Sequence, residues 1–301
     1  MSPPVSSRHS VLATSIRLLP TRSDPDMVSR KSQREIDKMA RAGRVVAEVL
    51  ALVESELKAG VSTGHLDRLA EQHIRAAGAI PSFKGYLGGG KYGRGPHAFP
   101  ASTCISLDAE VVHGIPGDRL IRDGQIVSID VGAILDGWHG DAARTFIVGE
   151  AGAQVQDLVA ATRLAMMAGI AAAVPGGRVG DISAAVEDVG RKAGYGIVRQ
   201  FVGHGIGTEM HQDPQIPNYR TGYRGMELQA GMCLAIEPMF TLGGHDTRIQ
   251  PDDWTVVTAD GRWAAHYEHT FTLTPHGTWV LTALDGGESR LAALGVPFGG
   301  R

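Results

Sequence analysis

The sequence predicts an α+β domain of two pseudo-symmetric halves, each setting outer helices against antiparallel sheet. Three observations predict it. Paired runs of helical apolar periodicity are each followed by strand-like sequence. An Asp-Gly pair joins two apolar strand patterns as a hairpin. The chain also resembles itself when shifted by about 116 residues. Gly60 then falls on Gly176, Gly64 on Gly180, Leu66 on Ile182, Glu71 on Glu187, Arg75 on Arg191 and Ala77-Gly78 on Ala193-Gly194. The matched glycines bound the same helix in both copies, where a left-handed residue or a close approach is needed. A site is expected between the halves, where concave surfaces form.

The elements follow in order. Ser32-Gln33-Arg34-Glu35 is a capping box, and behind it Ile36, Met39, Val46, Leu50 and Val53 recur at helical spacing until Gly60 ends the run. A second helix is expected from about Gly64 to Ala77, with Leu66, Leu69 and Ile74 inward and Gly78 as its stop. Strands are expected near Ala101–Leu107, Ile126–Leu135 and Ala142–Val148, then helices at about Ala153–Val174 and Asp181–Ala193, then strand-rich sequence from Ile197 onward. The first 26 residues are rich in Ser, Pro and Arg, and their apolar stretch stops at Arg17, short of a secretory signal. They are read as a disordered extension. Met27-Val28-Ser29-Arg30-Lys31 looks like a start, the main domain is placed at 27–284, and 285–301 is read as a flexible tail.

Composition narrows the class. With 301 residues, 43% hydrophobic and 20% charged, the chain has an ordinary soluble balance and length for one large domain or two smaller ones. A net charge of −3 argues against a nucleic-acid footprint or a polybasic membrane patch. No apolar run approaches the roughly 18–20 residues that span a bilayer. Cys104 and Cys233 are too few for a disulfide framework, so a reducing cytoplasm is expected. The 12 histidines prompt a search for a site.

That search leads to acids in apolar strands. With Asp136-Gly137 as a two-residue turn, Asp130 opposes Ala143 and Asp141 opposes Gly132. Asp130 and Asp141 then become diagonal neighbours on one sheet face, about 7–8 Å apart at most. Alone, each is as readily a solvated turn residue. Two carboxylates on one buried face repel and lose hydration unless a cation binds between them. His204 lies in Gly203-His204-Gly205-Ile206-Gly207, where glycines permit close approach, and His211 follows seven residues later. Glu237 follows an apolar strand pattern, and Glu268 heads another. Four acids and one histidine on buried strands are hard to fold without metal. The oxygen-rich set is unlike a closed Cys/His zinc site and suits Mn²⁺, Fe²⁺, Co²⁺ or Zn²⁺. Paired metals point to hydrolysis at a carbonyl or phosphoryl centre.

Val112-His113-Gly114-Ile115-Pro116, Asp130, Asp141, Gly203-His204-Gly205-Ile206-Gly207, Glu237-Pro238-Met239 and Tyr267-Glu268-His269-Thr270 together resemble type I methionine aminopeptidases, over about Met27 to Leu281. The resemblance implies the pita-bread, creatinase-like fold. It implies removal of the N-terminal initiator methionine from nascent chains whose second residue is small. It implies two divalent ions (cobalt, manganese, iron, zinc or nickel) held by Asp130, Asp141, His204, Glu237 and Glu268. Asp141 and Glu268 would bridge them, Asp130 would chelate one, and His204 with Glu237 would hold the other. A shared water would be the nucleophile and Glu237 the general base. His211 would stabilise the carbonyl oxygen and His113 would position the substrate amide. Phe83, Tyr86, Phe99, Cys104, Met210 and Trp254 would form the methionine pocket, although each alone is also ordinary core.

The Gly-rich stretch from Leu87 to Ala98 departs from the family by lengthening the link between pocket residues. It is read as a lid, an altered rim or a neutral surface loop. The resemblance further implies a cytoplasmic monomer with transient ribosome association, no direct nucleic-acid binding and no membrane. Two other readings are kept: an aminopeptidase P or prolidase-like Xaa-Pro hydrolase, and a non-catalytic binding module of the same fold. Members of the first group usually carry a large extra N-terminal domain, and only about 100 residues precede the His113 motif in this sequence, which counts against it. Five retained ligands count against the second.

Overall fold

The computed structural model describes residues 28–87 and 97–301. The expected N-terminal extension 1–26, the start at Met27 and most of the Gly-rich stretch lie outside the described residues.

The first half opens with α1 (Gln33–Glu56) and α2 (Thr63–Ala76). Both arms of the predicted capping box at α1 form, and Ser32 N–H donates to Glu35 Oε2 at 2.7 Å. All five of its predicted apolar positions are buried. In α2, Leu66 and Ile74 are buried, but Ala70 takes the core position expected of Leu69. Five strands follow: β1 (Ile80–Pro81), β2 (Thr103–Leu107), β3 (Glu110–Val112), β4 (Ile126–Leu135) and β5 (Trp138–Ile147). β4 and β5 form the predicted hairpin, with Asp130 opposite Ala143 and Gly132 opposite Asp141. Its turn is supported by Asp136 and Gly137, both at positive φ. The other edge of β4 pairs with β2 and then β1. Packed behind this sheet, α1 and α2 bury Val46, Val53, Leu66, Ile105, Ile129 and Val131 in one core.

The second half repeats the plan with α3 (Ala153–Ala172) and α4 (Val179–Ala193). Its strands are β6 (Gly196–Ile197), β7 (Gly203–Gly205), β8 (Gln212–Ile216), β9 (Cys233–Ile236), β10 (Met239–Thr241), β11 (Thr247–Ile249), β12 (Val256–Thr258), β13 (Ala264–His266), β14 (His269–Thr274) and β15 (Gly277–Val280). Five of them form an antiparallel sheet in the order β15-β14-β9-β7-β8. Two three-stranded sheets, β13-β10-β6 and β11-β12-β3, complete the strand set.

The repeat in the sequence is a repeat in hydrogen bonding. Gly60 N–H donates to Ile121 O and Gly176 N–H to Leu228 O, both at 2.8 Å. Gly64 N–H donates to Gly117 O and Gly180 N–H to Arg224 O, both at 2.7 Å. Gly60 and Gly176 share positive φ, at 88° and 85°, which only glycine adopts freely. Glu71–Arg75 and Glu187–Arg191 are matching i,i+4 ion pairs.

Two expectations are corrected. Residues 285–301 are not a loose tail: α5 (Glu288–Ala293) forms, its Leu291 is buried in the core of the second half, and Gly299 N–H donates to Thr278 O. The apolar spacing there is too short to register as a helix pattern, and docking on β15 supplies what propensity lacks. One helix, α3, is also long and apolar enough to span a bilayer. Its Leu158, Ala165, Met166 and Ile170 pack into the core against α4 and the sheet, which accounts for its hydropathy.

Candidate metal centre and adjoining pocket

The predicted acids and histidine converge where the halves meet. Asp130 and Asp141 project from the β4–β5 hairpin, which belongs to the first half. His204 sits in the middle of β7, Glu237 immediately after β9, and Glu268 between β13 and β14. Backbone bonds sew the halves together at this line. Glu268 N–H donates to Ala143 O at 2.8 Å, and Ala143 N–H returns to Glu268 O at 3.2 Å. Thr270 Oγ1 accepts from Asp141 N–H at 3.1 Å and donates to Asp141 O at 2.8 Å. Asn218 Nδ2 fixes the Glu237 carbonyl at 3.1 Å.

The side chains face one another without direct bonds. His204 Nε2 stands 3.6 Å from Glu237 Oε1 and 3.8 Å from Glu268 Oε1. Its Nδ1 lies 3.0 Å from the Gly205 carbonyl. That contact places the proton on Nδ1 and leaves the Nε2 lone pair toward the acids, the arrangement a ligating imidazole needs. His204, Asp141 and Glu268 are 5%, 4% and 3% exposed. Five buried side-chain polar atoms among the described residues lack a partner, and four are here: Asp130 Oδ1, Asp141 Oδ1, Glu268 Oε1 and His266 Nε2. Buried polar atoms are otherwise almost always bonded. A cleft of orphaned oxygens and one aimed imidazole is what a divalent cation satisfies. Asp141, His204 and Glu268 form one compatible donor group, and Glu237, His266 and Glu268 another.

Electrostatics agree. Burial raises Asp130 to about 7. Burial and then neighbouring carboxylates push Asp141, Glu237 and Glu268 well above the usual carboxylate range. Burial lowers His204 to about 3 and His211 to about 4, so both imidazoles are neutral at pH 7.

All six residues expected to line a pocket lie together. Phe83, Phe99, Ala101, Cys104 and Met210 form one buried apolar cluster, with Tyr86, Ile115 and Trp254 packed against it. Cys104 opposes Asp130 across β2 and β4, so this cluster adjoins the acids. Its thiol is buried, and burial beside Asp130 and Asp141 holds it protonated. Phe99 and Trp254 meet edge to face at 5.2 Å.

The two further histidines flank this space. Tyr86 Oη lies 3.1 Å from His211 Nδ1, and the His204 and His211 rings are 4.5 Å apart. His113 stands at φ 60°, a strained left-handed conformation, against Phe201 at 5.3 Å and Trp254 at 6.3 Å. Burial lowers it to about 4.

His266 is the site residue missing from the sequence-based set. The signal was present: a residue two positions before Glu268 on an extended segment shares its face.

The comparisons with known proteins concur. The model of metallopeptidase family M24 matches residues 37–275. Methionine aminopeptidase from Clostridium acetobutylicum is 47% identical over 257 residues, covering 85% of this chain and 99% of that protein. The crystal structure of methionine aminopeptidase from Thermotoga maritima superposes with a TM-score of 0.80 at 39% identity, covering 85% of this chain and all of that one. Prolidase from Pyrococcus furiosus, at 22% identity and a TM-score of 0.65, shares the pita-bread fold alone. The orphaned acids need a divalent cation and the family is defined by metal-dependent peptide hydrolysis, so the chain belongs to metallopeptidase family M24, among its methionine aminopeptidases.

Proposed function

We propose that the chain hydrolyses the bond after an N-terminal methionine, using two divalent cations held by Asp130, Asp141, His204, Glu237 and Glu268. The observation that carries this reading is adjacency. A set of unpartnered acids lies directly beside a cluster of sulfur and aromatic side chains, through the Cys104–Asp130 register pair.

Bound cations supply Lewis acidity and an activated water. The chain's own groups do the rest. The acids face the free α-amine of the substrate, which favours removal of a terminal residue. Glu237, as a carboxylate, serves as general base and then delivers the accepted proton to the leaving amine. His211, neutral and oriented by Tyr86, donates to the carbonyl oxygen as it gains charge. His113, held by its strained backbone and by Phe201 and Trp254, fixes the substrate amide. Met210, Cys104 and the pocket aromatics take the thioether, where each sulfur–aromatic contact contributes about 0.3–1.5 kcal/mol.

Preference for a small second residue, action on nascent chains in the cytoplasm, a monomeric state and transient ribosome contact extend this reading by family resemblance. The test is a substrate comparison with metal-reconstituted protein. Met-Ala-Ser should release methionine while Xaa-Pro peptides stay intact. Asp141→Asn should lower kcat by orders of magnitude and reduce metal content. Preferential cleavage of Xaa-Pro peptides would overturn the assignment, as would near-normal turnover by the metal-poor variant.

A further inference from the structure

The five carried-over ligands leave one buried imidazole unexplained. His266, at the end of β13, is 2% exposed, and its Nε2 has no partner. Its backbone is clamped on both sides by Thr145, whose Oγ1 accepts from His266 N–H and donates to His266 O, each at 2.8 Å. Tyr267 Oη also donates to Thr145 O at 2.8 Å, so the backbone that carries the ring is fixed, and the ring itself is buried. Nε2 lies 4.0 Å from Glu237 Oε2 and 3.9 Å from Glu268 Oε2.

Those separations are too long for hydrogen bonds. They do fit two donors sharing one cation, because ligands about 2.0–2.2 Å from an ion stand no more than about 4.4 Å apart. The arrangement also mirrors that of His204. His204 approaches the Oε1 atoms of Glu237 and Glu268, while His266 approaches their Oε2 atoms. The two glutamates thus present two oxygen edges, each with its own imidazole. A neutral imidazole adds a donor without changing the charge balance of four carboxylates against two divalent ions.

We propose that His266 Nε2 is a sixth protein ligand of the two-ion centre, binding the cation near the Oε2 atoms of Glu237 and Glu268, so that Glu237 reaches both ions where the resemblance gives it one. The proposal rests on the metal-centre reading above and adds a second nitrogen donor to it.

The test uses the full chain, stripped by chelator and titrated with Co²⁺. Calorimetry and visible absorption follow binding, and X-ray absorption of the loaded protein counts imidazoles per cobalt. Wild type should bind two ions with an average of one imidazole per ion. His266→Gln should weaken the second ion by about tenfold or more and leave the first nearly unchanged, with the imidazole average halved. The wild-type count needs no variant, so the test survives if His266→Gln fails to fold. Two bound ions sharing a single imidazole in wild type would overturn the role of His266 and leave the metal centre standing. So would a folded variant with an unaltered isotherm. Absence of Co²⁺ binding by wild type would instead sink the centre itself, and His266 with it.

Discussion

Stabilisation by divalent cations should grow steeply with pH, because protons and cations compete for the same cleft. Burial raises Asp130 from 3.8 to about 7, and burial with mutual repulsion raises Asp141, Glu237 and Glu268 further above their ordinary values. Without cations, the folded protein holds protons that the unfolded chain has released. The stability tied to a raised carboxyl is fully present below its unfolded value and is lost as pH rises through the folded one. For Asp130 that window runs from about pH 4 to about pH 7. One pH unit corresponds to about 1.4 kcal/mol per proton. Asp130 alone therefore makes the metal-free protein lose about 3 kcal/mol between about pH 4 and 7, and the other three acids extend the loss upward. The buried imidazoles near the cleft, neutral in the fold, titrate in the opposite sense over the same range. They do so with or without cation, so the difference between loaded and metal-free stability isolates the carboxyls. Cations displace the carboxyl protons, so that difference should increase by at least about 3 kcal/mol over the window, a large share of a typical total stability. Urea unfolding at a series of pH values, in chelator and in saturating Co²⁺, measures it. Two curves that run parallel with pH would refute the picture of four buried acids awaiting cations.

Trp254→Ala should raise KM for Met-Ala-Ser by about tenfold, because it removes the wall packed on Phe99 and His113 and the Nε1–H bond to His97 O, while kcat changes less; steady-state kinetics decide. Gly132→Ala should destabilise by about 1–3 kcal/mol and weaken methionine binding, since a Cβ there would stand 2.7 Å from Ser82 Cβ and 2.9 Å from Phe83 Cε1; denaturant midpoints and KM report the two effects. Acid should be harmful even with cation saturating. His139 and His269 are buried and lowered to about 4, and each contributes about 3 kcal/mol that is present above about pH 6.5 and lost as pH falls toward 4; unfolding midpoints against pH show this as a steep acid limb. Tyr86→Phe should lower kcat by a few-fold with little effect on stability, as it frees His211 Nδ1 from its partner; kcat with thermal unfolding checks both.

The hairpin was legible because two independent signals agreed. Asp136-Gly137 set the turn, and the apolar run of Ile126–Leu135 marked the strand, so the register of Asp130 and Asp141 followed to the residue. The paired helices were legible for the same reason, with Ser32 and Glu35 marking the start and Gly60, Gly78 and Gly194 marking turns at positive φ. The second sheet was legible only as strand-rich sequence. β6, β7, β10, β11, β12 and β13 have two or three residues each, too few for alternation to be read, and their pairing depends on contacts far along the chain. His266 was legible only as the residue two positions before Glu268; the strand pairing with β10 and the clamp by Thr145 that fix its place are not displayed by local sequence. The pocket residues were found through resemblance, since Phe83, Phe99 and Cys104 read equally well as core. Only their clustering beside Asp130 separates the two meanings.

The placement of the acids also explains why the duplicated architecture suits this chemistry. Each half alone buries its own apolar core, one behind the β4–β5 sheet and one around α3 and α4. Neither half alone holds a complete ligand set: Asp130 and Asp141 come from the first, and His204, Glu237, Glu268 and His266 from the second. Each half thus brings two of the four acids, and all four meet at the seam, where Ala143–Glu268 and Asp141–Thr270 bonds fix their spacing. Four orphaned acids within one core would oppose folding of that core more strongly than two in each half. At a seam, they oppose only docking of the halves, and a cation that bridges them turns the same surface into an attractive one.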